Sequence, residues 1–72
     1  MYSIEIHSNV YTKWRMWIDW MKSDVIEFSR YCMDQYPEIV SMDHPGGSMF
    51  PQYRTFVFES ESYYHWFLLR AR

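Results

Sequence analysis

Cysteine, glycine and charge of one sign are all scarce in this chain, and each scarcity excludes something. The single cysteine, Cys32, has no partner for an intrachain disulfide, and a lone thiol points to a reducing compartment. The two glycines, Gly46 and Gly47, are too few for a phosphate-cradling loop and are explained by a turn. The formal net charge is −2, with no block of either sign, so nothing electrostatic favours nucleic acid or an anionic membrane as partner. No stretch approaches the ~20 apolar residues of a membrane span, and the N-terminus lacks the basic segment and apolar run of a signal peptide. The expectation is a cytoplasmic chain that starts naturally at Met1, with no membrane segment.

Against these absences stands a surplus of large side chains. The 72 residues fit one domain, 1–72, and 22% of them are aromatic: four Trp, seven Tyr and five Phe, with six Met besides. A domain of this size buries only about 60% of the surface its unfolded chain exposes. Large rings, each removing about 150–250 Å² from water, are one way to stabilise it. There are more of them than one small core needs, so some are expected at the surface as contact anchors.

Periodicity gives the order of elements. Residues 2–7 alternate, with Tyr2, Ile4 and Ile6 on one side and Ser3, Glu5 and His7 on the other, which predicts a half-buried strand. Ser8 or Asn9 is placed to cap a helix. From Val10 the spacing becomes helical: Val10, Trp14, Trp17 and Met21 form a stripe that Tyr11 and Ile18 widen, and Met16 and Trp20 lie on one flank, as either an enlarged core face or an exposed apolar ridge. Asp24 and Glu27 make a capping-box pattern ahead of Val25, Phe28, Cys32 and Tyr36, and Pro37 ends that helix. The spacing leaves open whether residues 9–36 form two helices or one kinked helix. A short strand over 38–42 and a type II turn over 43–48 follow, then a strand over 53–59 whose two apolar sides predict either a central position or an outer face covered by a partner. A last helix begins at Ser60 or Ser62 and turns Tyr64, Phe67, Leu68 and Ala71 to the core, with Trp66 and Leu69 on another side.

The order β-α-(α)-β-β-α predicts an α+β fold: a small three-stranded antiparallel or mixed sheet with helices on one face. It resembles a truncated ferredoxin-like domain lacking its last strand. The other sheet face is expected to be open and rich in aromatics, which would invite dimerisation or a partner.

No catalytic constellation emerges. His7, His44, His65, Cys32, Asp43 and Glu59 include the ligand types zinc uses, but none has diagnostic spacing, so no metal and no cofactor is expected. Cys32 falls on an apolar helix stripe, where a core role outweighs a nucleophilic one. Ser48 lacks a nucleophile-elbow frame. The strand Arg54-Thr55-Phe56-Val57-Phe58 is distantly similar to the aromatic RNP1 strand of RNA-recognition motifs, but the glycine of that motif and any basic cluster are missing.

The segment Tyr53 to Glu59, followed by Ser60 to Arg70 and closing Phe67-Leu68-Leu69-Arg70, is similar to the C-terminal pattern of many small tailed-bacteriophage accessory proteins. The Trp-rich run Trp14 to Trp20 looks like the same sort of sequence. The resemblance covers about half the chain, departs from that pattern over 23–52, and carries no catalytic residue. It implies a compact protein that binds and modulates a host protein in the host cytoplasm. The reading is therefore a non-enzymatic protein-interaction module, expected to form a homodimer, with Met16, Trp17, Trp20, Trp66 and Leu69 as contact residues and Arg15, Asp19 and Lys22 as a polar rim. The alternatives are a structural or virion-associated subunit and, less favoured by charge, a single-stranded nucleic-acid-binding domain.

Overall fold

A computed structural model describes residues 1–43 and 53–72. Its three strands, β1 (Tyr2–His7), β2 (Ile39–Asp43) and β3 (Tyr53–Phe58), form one sheet in the order β1-β3-β2. Both pairings are antiparallel. This is the split β-α-β arrangement, with β3 inserted between the two strands that the helical segment connects. The fold is α+β, and β3 is central, the first of the two positions its two-sided pattern allows. The turn expected over 43–48 lies largely outside the described residues.

The registers show why one face is buried. Tyr2, Ile4 and Ile6 stand opposite Phe58, Phe56 and Arg54, so the apolar side of β1 continues across β3. An irregularity between Ile39 and Ser41 shifts the register of β2 and brings both Ile39 and Met42 to that side, against Phe58 and Phe56. Phe56 and Phe58 are fully buried there, against Phe67 of the last helix. The opposite face carries Ser3, Glu5, His7, Ser41, Tyr53, Thr55 and Val57. It is open but mostly small and polar. The expectation of an aromatic-rich open face is corrected: Tyr53 is its one aromatic ring besides the imidazole of His7, and the two meet edge to face at 4.8 Å.

Residues 8–35 form three helices rather than one or two: α1 (Ser8–Tyr11), α2 (Arg15–Met21) and α3 (Phe28–Gln35). The cap of α1 is His7, whose Nδ1 accepts the Asn9 N–H at 3.0 Å, and not Ser8 or Asn9. Thr12 donates its hydroxyl back to the Ser8 carbonyl at 2.6 Å, and the chain leaves the helix until Trp14, which is extended. This break changes the phase of everything after it. Tyr11, Trp14 and Met16 are buried, Trp17 and Trp20 are half-buried, and Val10, Ile18 and Met21 are exposed. The predicted stripe Val10-Trp14-Trp17-Met21 requires one uninterrupted helix and does not form.

The third helix starts at Phe28 and not at Asp24. Residues 22–27 are a connection held by Ser23, whose hydroxyl donates to the Trp20 carbonyl at 2.7 Å. Phe28, Cys32 and Tyr36 then face the core at the predicted spacing. Tyr36 departs from helical geometry (φ −126°, ψ 80°), as the steric demand of Pro37 requires. The last helix, α4 (Glu61–Ala71), buries Phe67 and Ala71, half-buries Tyr64 and Leu68, and lies against β2 and β3.

Candidate functional site

The residues expected to form a contact surface divide into two groups. Met16 is fully buried and has no surface to offer. Trp17 and Trp20 close an aromatic cluster with Phe28 and Tyr11: the two indoles are 4.9 Å apart, and each meets Phe28 edge to face at about 5 Å. The Trp20 indole N–H donates to the Val25 carbonyl at 2.9 Å. Trp66 and Leu69 lie elsewhere, on the side of α4 turned away from Phe67. Trp66 is 56% exposed and Leu69 80% exposed. Among the described residues no ring contact joins Trp66 to another aromatic.

Helical spacing explains this second group. Tyr64, Phe67, Leu68 and Ala71 take the inner side of α4, so Tyr63, Trp66 and Leu69, three residues apart, form a stripe on its outer side. Beside the stripe is a cleft of about 410 Å³, lined by Pro37, Glu38, Glu59, Tyr63, Trp66 and Arg70. It joins the end of α3, the start of β2, the β3–α4 junction and the outer side of α4. No sequence spacing brings those four segments together.

One wall of the cleft is fixed by Arg70. Its Nη1 donates to Glu38 Oε2 at 2.6 Å and its Nη2 to the Gln35 carbonyl at 3.0 Å, one of the carbonyls left without a helical partner at the end of α3. The guanidinium also lies over the Tyr36 ring at 5.1 Å. The Glu38 side chain is only 5% exposed, so this pair is much better shielded than an ordinary surface ion pair. The sequence marks Pro37 only as a helix stop and Arg70 only as the close of the last helix. The pairing with Glu38 spans 32 positions and leaves no local signal.

The other chemistry-bearing residues stand apart. Cys32 is fully buried, and burial pushes its thiol up to about 12, against a smaller opposing pull from Arg54. Such a thiol is a poor nucleophile. His65 faces Glu61 across one turn of α4 at 3.3 Å, both well exposed, and His7 lies at the sheet. Among the described residues no three His, Cys, Asp or Glu side chains converge. Phe56 and Phe58, which an RNP1-like strand would present to bases, are turned into the core with no exposed surface. Arg54 points inward as well, donating to the Tyr11 hydroxyl and to Ser29 Oγ, both at 3.1 Å, over the Phe28 ring. Among the described residues no helix is long and apolar enough to cross a membrane.

A second cleft, lined by Asp24, Val25, Ile26, Glu27 and Arg30, opens at the connection before α3. It lacks aromatic anchors, and its most exposed apolar residue, Ile26, stands out on the connection itself. The α4 cleft is the better candidate because Trp, Tyr and Arg, the residue types that dominate binding energies at interfaces, meet there on a regular element. No protein-family model, curated protein or solved structure matches the chain.

Proposed function

We propose that the chain is a non-enzymatic protein-binding module that engages its partner through the outer side of α4. One observation carries this reading: Tyr63, Trp66 and Leu69 form an exposed apolar stripe beside a cleft whose wall is already fixed by Arg70 and Glu38. The cost of an exposed Trp–Leu pair on so small a surface is offset when a partner covers it. A wall held by two hydrogen bonds and a stacked ring needs little reordering on binding. The similarity of the C-terminal strand and helix to phage accessory proteins supports a host protein as that partner.

A benzophenone placed at position 69, with a control at position 3 on the open sheet face, tests the reading. Irradiation in a bacterial host lysate is expected to give a discrete adduct from position 69. Excess unlabelled chain should compete it away, and Trp66→Ala chain should not. Equal competition by the two chains would sink the proposal. An adduct consisting only of a second copy, with a doubled mass by light scattering, would replace the host partner with self-association.

A further inference from the structure

The charges around the cleft say what it is built to receive. Its residues carry two carboxylates, Glu38 and Glu59, and one guanidinium, Arg70. Glu38 and Arg70 neutralise each other at 2.6 Å, and the second nitrogen and one face of the guanidinium are committed to Gln35 and Tyr36. The charge of Arg70 is thus matched by Glu38, which weakens its attraction for an anion. Glu59 has no ion-pair partner among the described residues, so the cleft is net negative, with an exposed indole and phenol beside the unpaired carboxylate.

Resting on the protein-binding reading above, we propose that this cleft takes an arginine side chain of the partner. The guanidinium lies against Trp66, with Tyr63 alongside and Glu59 as its counter-ion. Trp is the best aromatic face for a cation, and a planar guanidinium both stacks and donates to a carboxylate, which an ammonium does less well. The net charge of −2 adds a weak attraction for a basic segment. An aliphatic side chain would cover Trp66 but leave Glu59 desolvated without a partner. An acidic one would meet the Glu59 carboxylate, with Arg70 already matched by Glu38.

The probe is N-acetylarginine methylamide, titrated into ¹⁵N-labelled protein, with N-acetylcitrulline methylamide as the neutral, nearly isosteric control. The expected result is a saturable shift of the Trp66 indole N–H and the Tyr63 amide with the arginine compound and none with citrulline. Glu59→Gln should weaken the arginine response about fivefold, as should raised salt, and Trp66→Ala should abolish it. Both side chains are exposed, and the remaining amide spectrum reports that each variant is folded. Equal responses to arginine and citrulline, or an unchanged affinity in Glu59→Gln, would overturn the proposal. The cross-linking experiment separates the two ideas. If the position-69 adduct depends on Trp66 but not on Glu59, the cation site falls and the binding module stands. If it depends on neither, both fall.

Discussion

Two aromatic regions of this small molecule are built from the same residue types and have opposite fates. Around α1, α2 and α3, Trp17, Trp20, Phe28 and Tyr11 close on one another at about 5–6 Å, and the Trp20 N–H finds the Val25 carbonyl. On α4, Tyr63, Trp66 and Leu69 have comparable apolar surface and face outward. The difference lies in what surrounds them. The helical connection folds over the first group and supplies ring partners and a carbonyl, whereas the inner side of α4 is already filled by Phe67, Ala71 and their neighbours. A Trp is therefore not a contact residue because it is a Trp. It becomes one when its element has another face committed to the core.

The sharpest break of this comparison is at the core residue of α4. Phe67 touches the rings of Trp14, Tyr36, Phe56 and Phe58, so it joins the helix to both the sheet and the other helices. Phe67→Ala should cost about 3–5 kcal/mol, enough to leave a domain of this size largely unfolded. A cooperative urea transition near the wild-type midpoint would show that Phe67 does not join α4 to the rest of the core.

Alkali should act on the same interior. The Cys32 thiol is raised by burial from its ordinary value of 9.0 to about 12. Above pH 9 the unfolded chain releases this proton while the native one keeps it, so the unfolded state binds fewer protons and stability falls as pH rises. The effect is absent below pH 9 and grows to at most about 4 kcal/mol near pH 12. Tyr31, Tyr36 and Tyr64, also raised by burial, add in the same direction above pH 10. Denaturant titrations from pH 8 to 11 should show the decline, and Cys32→Ala should remove the part that begins near pH 9. A decline identical in that variant would mean that the thiol is exposed.

Arg70 belongs to both regions, since it binds the inner Tyr36 and Glu38 yet walls the outer cleft. Arg70→Ala strands a nearly buried Glu38 carboxylate and should cost about 1–3 kcal/mol. Glu38→Gln in that background should recover part of the loss. A smaller effect is expected for Trp20→Phe, which keeps a ring in the cluster and loses the bond to Val25. About 1 kcal/mol is expected, with faster hydrogen exchange in residues 22–27. No change in either would place Trp20 with the outward group.

How much of this was legible in the sequence depends on whether a pattern was interrupted. β1, β3 and the inner side of α4 could be read because each is regular from end to end: Ile4 and Ile6, Phe56 and Phe58, and Phe67 and Ala71 all face inward as their spacing demands. The region 10–21 could not, because neither proline nor glycine marks the break at Thr12 to Trp14, and three non-helical residues rotate every later side chain. Unbroken helical spacing therefore puts Met21 on the inward stripe and Met16 on its flank, the reverse of where they lie. The outward placement of Trp66 and Leu69 was visible in the period of α4. The cleft beside them was not, since Pro37, Glu38, Glu59 and Arg70 are brought together only by the packing of α4 against β2 and β3.

The smallest expected effect on stability is also the most informative. Trp66 contributes little to folding if more than half of it is in water, and Trp66→Ala should leave the urea midpoint within about 0.5 kcal/mol of wild type. Removal of an interface anchor costs about 1–2 kcal/mol or more in association, because the partner loses a buried ring and gains water in its place. The two numbers must therefore separate: unchanged unfolding with weakened adduct formation at position 69. The same substitution at Trp17 should show the reverse order, a loss of stability first, because its ring lies against Tyr11, Trp20 and Phe28. If Trp66→Ala destabilises the fold as much as Trp17→Ala does, both rings are core, and the outer side of α4 loses its claim to be a binding surface.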